Sequence, residues 1–119
     1  MSFDPGEVMN AVEDGADRLE KAADAYSDAV KRFEDAQNDY ERDFQKQLLV
    51  IADRARKAGE RVPAGDLRSA EAHQKLDSKV YGEYLAAKAE KEALATRYRA
   101  LAAAVSARQS LLKALGSAG

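Results

Sequence analysis

Apolar side chains recur along this chain at alternating intervals of three and four residues, in two long stretches that a short break separates. This spacing places them on one stripe of a helix, and a mean period of about 3.5 residues is typical of helices that pack lengthwise against each other. The pattern therefore predicts two long helices. The stripe of the first consists of Val12, Ala16, Leu19, Ala23, Tyr26, Val30, Phe33, Gln37, Tyr40, Phe44, Gln47, Leu48 and Ile51.

The ends of the first helix are marked by residues that favour such positions. Asp4 can accept hydrogen bonds from the free amides of a first turn, and Pro5 suits the first helical position. Gly59 can adopt the left-handed conformation that closes many helices, and the helix breakers of Val62–Gly65 follow it. We therefore predict a long helix over about residues 5–58.

The second half of the chain predicts one short helix and one long helix. A linker over residues 59–76 is expected to contain the short helix, capped by Asp66 and continuing through His73. Asp77 or Ser78 then begins a long helix over residues 77–115. Its stripe repeats the spacing of the first: Val80, Tyr84, Ala87, Lys91, Leu94, Tyr98, Leu101, Val105, Arg108, Leu112 and Leu115.

Two matched stripes around one break predict an all-α fold, an antiparallel two-helix coiled-coil hairpin with a short helix in the connection. If the hairpin closes at residue 65 or 66, Leu115 reaches only as far as Ala16. Residues 1–15 would then form an N-terminal extension, and residues 16–116 would form the hairpin.

Several apolar residues lie outside both stripes, among them Leu49, Val50, Leu85 and Leu111. Two helices alone bury only one narrow stripe each, so these side chains need another cover. We expect a homo-oligomer in which hairpins dimerise into a helical bundle.

Gln37, Lys91 and Arg108 are polar residues that interrupt the stripes. With a hairpin closing near residue 65, Arg108 would lie opposite Ala23 and within reach of carboxylates of the first helix. A polar residue on such a stripe fixes the register of two helices at a cost in stability, and an arginine can lay its stem on apolar neighbours. We therefore assign Gln37, Lys91 and Arg108 to register and packing.

Composition and charge agree with long helices that attract each other. Charged residues make up 34% of the chain and there are only two prolines. The net charge of −2 conceals an asymmetry, because residues 1–45 hold 13 acidic and 5 basic residues while residues 46–119 hold 8 acidic and 14 basic ones. The two arms of a hairpin would therefore carry opposite net charges.

Catalytic and metal-binding signatures are missing from the sequence. There is no cysteine for a disulfide or a thiolate site, and His73 is the only histidine. No glycine-rich phosphate loop or nucleophile elbow occurs. We expect no enzymatic activity, no cofactor and no metal. The absence of a signal-peptide pattern and of a run of about 20 apolar residues favours a soluble, cytoplasmic protein.

These observations favour a non-enzymatic protein–protein interaction module, an adaptor, modulator or inhibitor whose partner the sequence does not identify. Apolar residues of the extension can dock into a groove of that partner, and arginines of the second long helix can add polar contacts. The candidate contact residues are Phe3, Val8, Met9, Val12, Arg97, Arg99 and Arg108.

Two alternatives stay open. A nucleic-acid-binding accessory protein would use the basic C-terminal half, whose arginines and lysines alternate with tyrosines that can stack on bases. An inhibitor that mimics nucleic acid would use the acidic first helix, whose aspartates can stand in for phosphates. Those aspartates are Asp14, Asp17, Asp24, Asp28, Asp35, Asp39 and Asp43.

Three segments, Tyr81–Leu85, Arg97–Leu101 and Ser106–Lys113, resemble small coiled-coil helical proteins of bacteriophage and prophage genomes. The resemblance implies a phage-encoded helical protein. The two-helix size also resembles the small secreted helical-hairpin proteins of Gram-positive bacteria, but the Trp-x-Gly turn that defines them is absent from this chain, which has no tryptophan.

Overall fold

The computed structural model describes residues 4–117, and these residues form three helices and no strand. They are α1 (Pro5–Lys57), α2 (Gly65–Gln74) and α3 (Ser78–Ser117). The all-α prediction is confirmed, and the helix bounds lie within a few residues of the predicted ones. The chain divides into two compact units, in each of which α1 contacts α3. Unit 1 holds the described residues of Met1–Val30 and Glu90–Gly119, and unit 2 is Lys31–Ala89.

Both ends of α1 follow the sequence signals. The Gly6 amide donates to Asp4 Oδ1 at 2.9 Å, and Pro5 is the first helical residue. At the other end Gly59 has a φ of 70°, which only glycine adopts without strain. The Gly59 amide donates to the Arg56 carbonyl at 3.1 Å and the Glu60 amide to the Ala55 carbonyl at 2.8 Å. These two bonds form a Schellman motif that satisfies the last carbonyls of α1.

The two later helices begin differently from each other. Asp77 Oδ1 accepts from the Lys79 and Val80 amides at 2.9 and 3.0 Å, so the predicted cap of α3 is confirmed. The predicted cap of α2 is wrong: Asp66 lies inside the first turn, and the residue before the helix is Ala64, which makes no side-chain capping bond. Asp66 still lies where a negative charge favours a helix N-terminus.

In unit 1 the deepest positions of α1 are small residues spaced seven apart. Val8, Gly15, Ala22 and Ala29 are all buried. A Cβ on Gly15 would lie only 3.1 Å from Val105 Cγ2, so glycine allows α3 to approach closely at this point. Larger residues of the predicted stripe flank this line and are half-buried, because the contact between the helices is made over the small side chains.

The pairing of α1 with α3 is displaced from the predicted register. Gly15 lies against Val105 in unit 1, and in unit 2 the Asp77 amide donates to Asp43 Oδ2 at 2.9 Å. The two residue numbers of each pair average to 60, so the pairing is centred on residue 60, whereas the prediction assumed a centre at residue 65 or 66. The prediction placed the reversal at the helix breakers of Val62–Gly65, whereas the observed pairs centre directly after the glycine cap of α1. The predicted overhang of residues 1–15 depends on the same centre, and from Pro5 onward these residues belong to α1.

Unit 2 has a separate small core at the C-terminal end of α1. Ile51, Ala52 and Ala55 of α1 and Ala72 of α2 are buried. These side chains are mostly alanines, so little apolar volume is enclosed. No described residue with a large side chain is completely buried in the chain.

Candidate interaction surfaces

A groove of about 670 Å³ lies in unit 2, along the outer face of the last turns of α1, with Arg68 of α2 on one wall. Its α1 residues recur at helical intervals, because positions 42, 46, 49, 53 and 56 fall on one face. Four cations and one carboxylate line it. We call this surface the basic groove; the residues that matter below are Arg42, Lys46, Leu49, Asp53, Arg56 and Arg68.

Most of the groove's positive charge is not neutralised within the chain. Among residues 4–117, Lys46, Arg56 and Arg68 make no ion pair, and Arg42 is paired only with Asp39 at 3.9 Å. The groove's one carboxylate, on Asp53, lies 3.5 Å from Lys57 Nζ. The Arg68 Nε–H is buried and has no acceptor in the described part of the chain. The groove therefore carries a positive charge that the described part of the chain leaves largely uncompensated.

Leucines are exposed on the same unit. Leu49 is 72% exposed in the basic groove, and Leu67 of α2 is 69% exposed. Leu85 of α3 is exposed to a lesser degree, as is Met9 in unit 1. Leu49 therefore places an apolar side chain among the charged residues of the basic groove.

The predicted contact residues divide by exposure. Val8 is buried in unit 1 and Val12 is half-buried, so of the described apolar candidates only Met9 presents a large exposed side chain. Phe3 lies outside the described residues. The three arginines Arg97, Arg99 and Arg108 are exposed on α3.

Arg97 shares a second, smaller groove with two cations of α1. This cavity of about 190 Å³ in unit 1 is lined by Arg18, Lys21, Arg97 and the apolar residues Ala22, Ala25 and Leu94. Arg18 is paired with Asp14 at 3.2 Å. Sequence periodicity did not indicate this meeting of cations, since Arg18 and Lys21 belong to the acidic half of the chain.

The three register residues have different surroundings. Gln37 and Lys91 are half-buried, as expected on the stripes, and Lys91 interacts with other residues of the chain. Arg108 is exposed, although its neighbours in the pattern, Val105 and Leu112, are buried or half-buried. Its guanidinium Nη1 would lie 3.3 Å from a Cβ on Gly15, so it lies beside Gly15 and not beside Ala23.

Unit 2 also contains a cluster of aromatic rings. The rings of Tyr40 and Tyr84 stack with centroids 4.5 Å apart, and Tyr81 lies 5.9 Å from Tyr40. Phe33 is 5.7 Å from Tyr84, and the His73 ring meets Tyr81 edge-on at 5.1 Å. Such offset and edge contacts stabilise the pairing of α1 with α3. Tyr81 and Tyr84 are packed in this cluster, although a base-stacking surface on the basic half of the chain would need their rings.

The hydroxyl of Tyr40 is harder to ionise than an ordinary tyrosine hydroxyl, because its pKa is raised. Burial raises the pKa of Tyr40 above its ordinary value of 10.0, and the neighbouring Tyr84, Tyr81 and Glu41 raise it further. Each cause acts against the phenolate, either by removing water or by adding nearby negative charge.

The acidic half of α1 presents four carboxylates along its exposed face. Glu13, Asp17, Glu20 and Asp24 follow one another at helical intervals, and all four are exposed. None of them forms an ion pair among residues 4–117. We call this surface the acidic stripe.

No group of three or more histidine, cysteine or carboxylate side chains in the described chain is arranged to hold a metal ion. Among the same residues, no helix is both long and apolar enough to cross a membrane. Comparison with protein-family models, with curated proteins and with solved structures finds no match to this chain.

Proposed function

We propose that this protein is a non-enzymatic interaction module that binds a protein partner through the basic groove. The observation that carries the proposal is Leu49, a leucine 72% exposed between Lys46 and Arg56. An apolar anchor in a groove lined by four cations and one carboxylate offers hydrophobic contact at its centre and charge selectivity around it. Met9, Arg97, Arg99 and Arg108 would add contacts from unit 1.

The scaffold in this proposal is the antiparallel hairpin, with α2 inside the connection, that dimerises into a helical bundle. Its support is the order of contacts inside unit 2. In unit 2, Phe33 of α1 meets Tyr84 of α3, while Asp43, further along α1, meets Asp77, the residue that caps the start of α3. The resemblance to phage proteins supports a phage-encoded adaptor, modulator or inhibitor that acts in the cytoplasm.

Substitution of the exposed leucine tests this function. The tagged protein is used to capture partners from cells of its native host, and the bound proteins are quantified by mass spectrometry. Leu49→Asp should lower capture of the specific partner at least about tenfold, because it removes the apolar anchor and adds a charge that must be desolvated. Leu85→Asp is the matched control, since it is the same change on an exposed leucine outside the groove. Equal capture by both variants and the wild type contradicts the proposal.

A second candidate, nucleic-acid binding, is favoured by the cation groove of Arg18, Lys21 and Arg97. Three cations around a small cavity suit a phosphate group. Binding to single- and double-stranded DNA should then weaken steeply between about 50 and 200 mM salt, and Arg97→Glu should abolish it. No binding at the lower salt concentration removes this candidate.

A further inference from the structure

We infer that the basic groove of one molecule receives the acidic stripe of a second copy of the same chain. This inference rests on the proposed interaction function and names the partner of the groove. The two surfaces have opposite charges, and each consists of charged groups that are almost entirely unpaired within the described chain. Long-range attraction between such patches steers association and selects the partner.

The two surfaces also match in length. The stripe extends from Glu13 to Asp24 and the α1 wall of the groove from Arg42 to Arg56, so they span about 17 and 21 Å at about 1.5 Å per residue. Both are single faces of an α-helix with charges at intervals of three, four or seven residues. Laid together, they pair helix with helix, which is one of the recurring ways in which a helical face is covered.

The acidic stripe contains a small apolar residue that can pack against Leu49. A leucine in the middle of the groove needs an apolar neighbour that does not hold the two helices apart. Ala16 lies between Glu13 and Glu20 on the stripe and is exposed. Its single methyl group allows close approach, while the methylene groups of Glu13 and Glu20 can cover the sides of the leucine.

The alternative arrangements of two copies are less favourable. If two basic grooves faced each other, Arg42, Lys46, Arg56 and Arg68 of both copies would repel. The stripe cannot fill the groove of its own molecule, because both belong to α1 and a helix does not fold back on itself. The stripe that occupies a groove must therefore come from another copy.

Reversal of charge on either surface tests the inference with the full chain. Molar mass is measured by light scattering and sedimentation over a range of protein concentrations. The wild type should associate at about 50 mM salt, and its dissociation constant should rise at least about tenfold at about 500 mM, where the screening length falls to a few ångströms. Lys46→Glu with Arg56→Glu should weaken association at least about tenfold, and so should Glu13→Lys with Glu20→Lys.

Mixing the two double variants provides the decisive measurement. The unchanged groove of one variant then meets the unchanged stripe of the other, so the mixture should associate at least about tenfold more tightly than either variant alone. Lys79→Glu with Lys88→Glu on α3 is the charge-matched control and should associate normally. Circular dichroism checks that every variant keeps its helicity.

A monomeric wild type, association that neither reversal weakens, or a mixture that does not associate overturns the inference. So does a wild type that stays monomeric and instead binds a DNA duplex or anionic vesicles through Lys46 and Arg56. Failure here is distinguishable from failure of the proposed function, because a monomer that still captures a host protein through Leu49 keeps the function and loses only the second copy.

Discussion

Two glycines within helices have opposite consequences for stability. Nothing lies within 4 Å of a Cβ on Gly82, so Gly82→Ala should raise the free energy of unfolding by about 0.5–1 kcal/mol through helix propensity. On Gly15 the added methyl meets Val105 Cγ2 at 3.1 Å, and a buried valine has few other rotamers. The free energy of unfolding of Gly15→Ala should therefore be about 1–2 kcal/mol lower than that of Gly82→Ala. Urea unfolding followed by circular dichroism measures both, and equal stabilisation would show that the helices do not approach closely at Gly15.

Tyr40 gives the stability a dependence on alkaline pH. Because its pKa is raised in the folded state, the folded protein holds the phenolic proton more tightly than the unfolded chain does. The stabilisation is complete below the ordinary pKa of 10.0 and is lost as the pH rises through the folded value. The free energy of unfolding should thus fall above about pH 10, and Tyr40→Phe should reduce that fall. An unchanged slope in Tyr40→Phe, measured by chemical denaturation at several pH values, contradicts this account.

At single positions the sequence predicted what depends on local chemistry. Asp77 and Gly59 could be assigned as caps because a cap is satisfied by amides or carbonyls within a few residues. The exposure of Arg108 could not be predicted, since its place in the pattern is apolar and only contact with the opposite helix reveals the glycine beside it.

At the scale of the helices, the end of α1 depends on one backbone conformation. Gly59→Ala should lower the free energy of unfolding by about 1–2 kcal/mol, because a Cβ is strained at a φ of 70° even though nothing lies within 4 Å of it. Gly65→Ala is the control, since Gly65 also has free space and does not have a positive φ. Thermal unfolding compares the two variants. Equal melting temperatures would mean that α1 can end without the left-handed conformation at Gly59.

The helices themselves were predictable, and their pairing was not. Three-four spacing over about five heptads and clear end signals determine α1 and α3 locally. The register depends on where the returning arm begins, and α2 has too few periodic residues to show that. The sequence does contain signs of the basic groove. Leu49 and Val50 lie outside the stripe, and the cations at positions 42, 46 and 56 lie on the same helical face as Leu49.

At the scale of the whole molecule, the apolar surface that the fold leaves in water affects how the protein associates. Large apolar side chains stay exposed in both units: Met9 in unit 1, and Leu49, Val50, Leu67 and Leu85 in unit 2. Burial of these side chains at a contact between molecules would remove apolar surface from water. A chain that exposes so much surface should gain stability when it associates.

The melting temperature should therefore rise with protein concentration. Association adds a concentration-dependent term to the free energy of unfolding, so a hundredfold increase in concentration should shift the transition upward by several degrees. Lys46→Glu with Arg56→Glu should remove this dependence. Scanning calorimetry at two concentrations measures it, and a wild-type transition that does not move shows that the folded chain is monomeric.

The tyrosine cluster makes one part of this protein observable without a label. The chain has five tyrosines and no tryptophan, and Tyr40, Tyr81 and Tyr84 lie close enough in unit 2 to exchange excitation energy among their rings. Emission from these rings should be depolarised while they are stacked and regain anisotropy when they separate. Ultraviolet fluorescence polarisation would thus follow the opening of unit 2 in a native, unmodified sample.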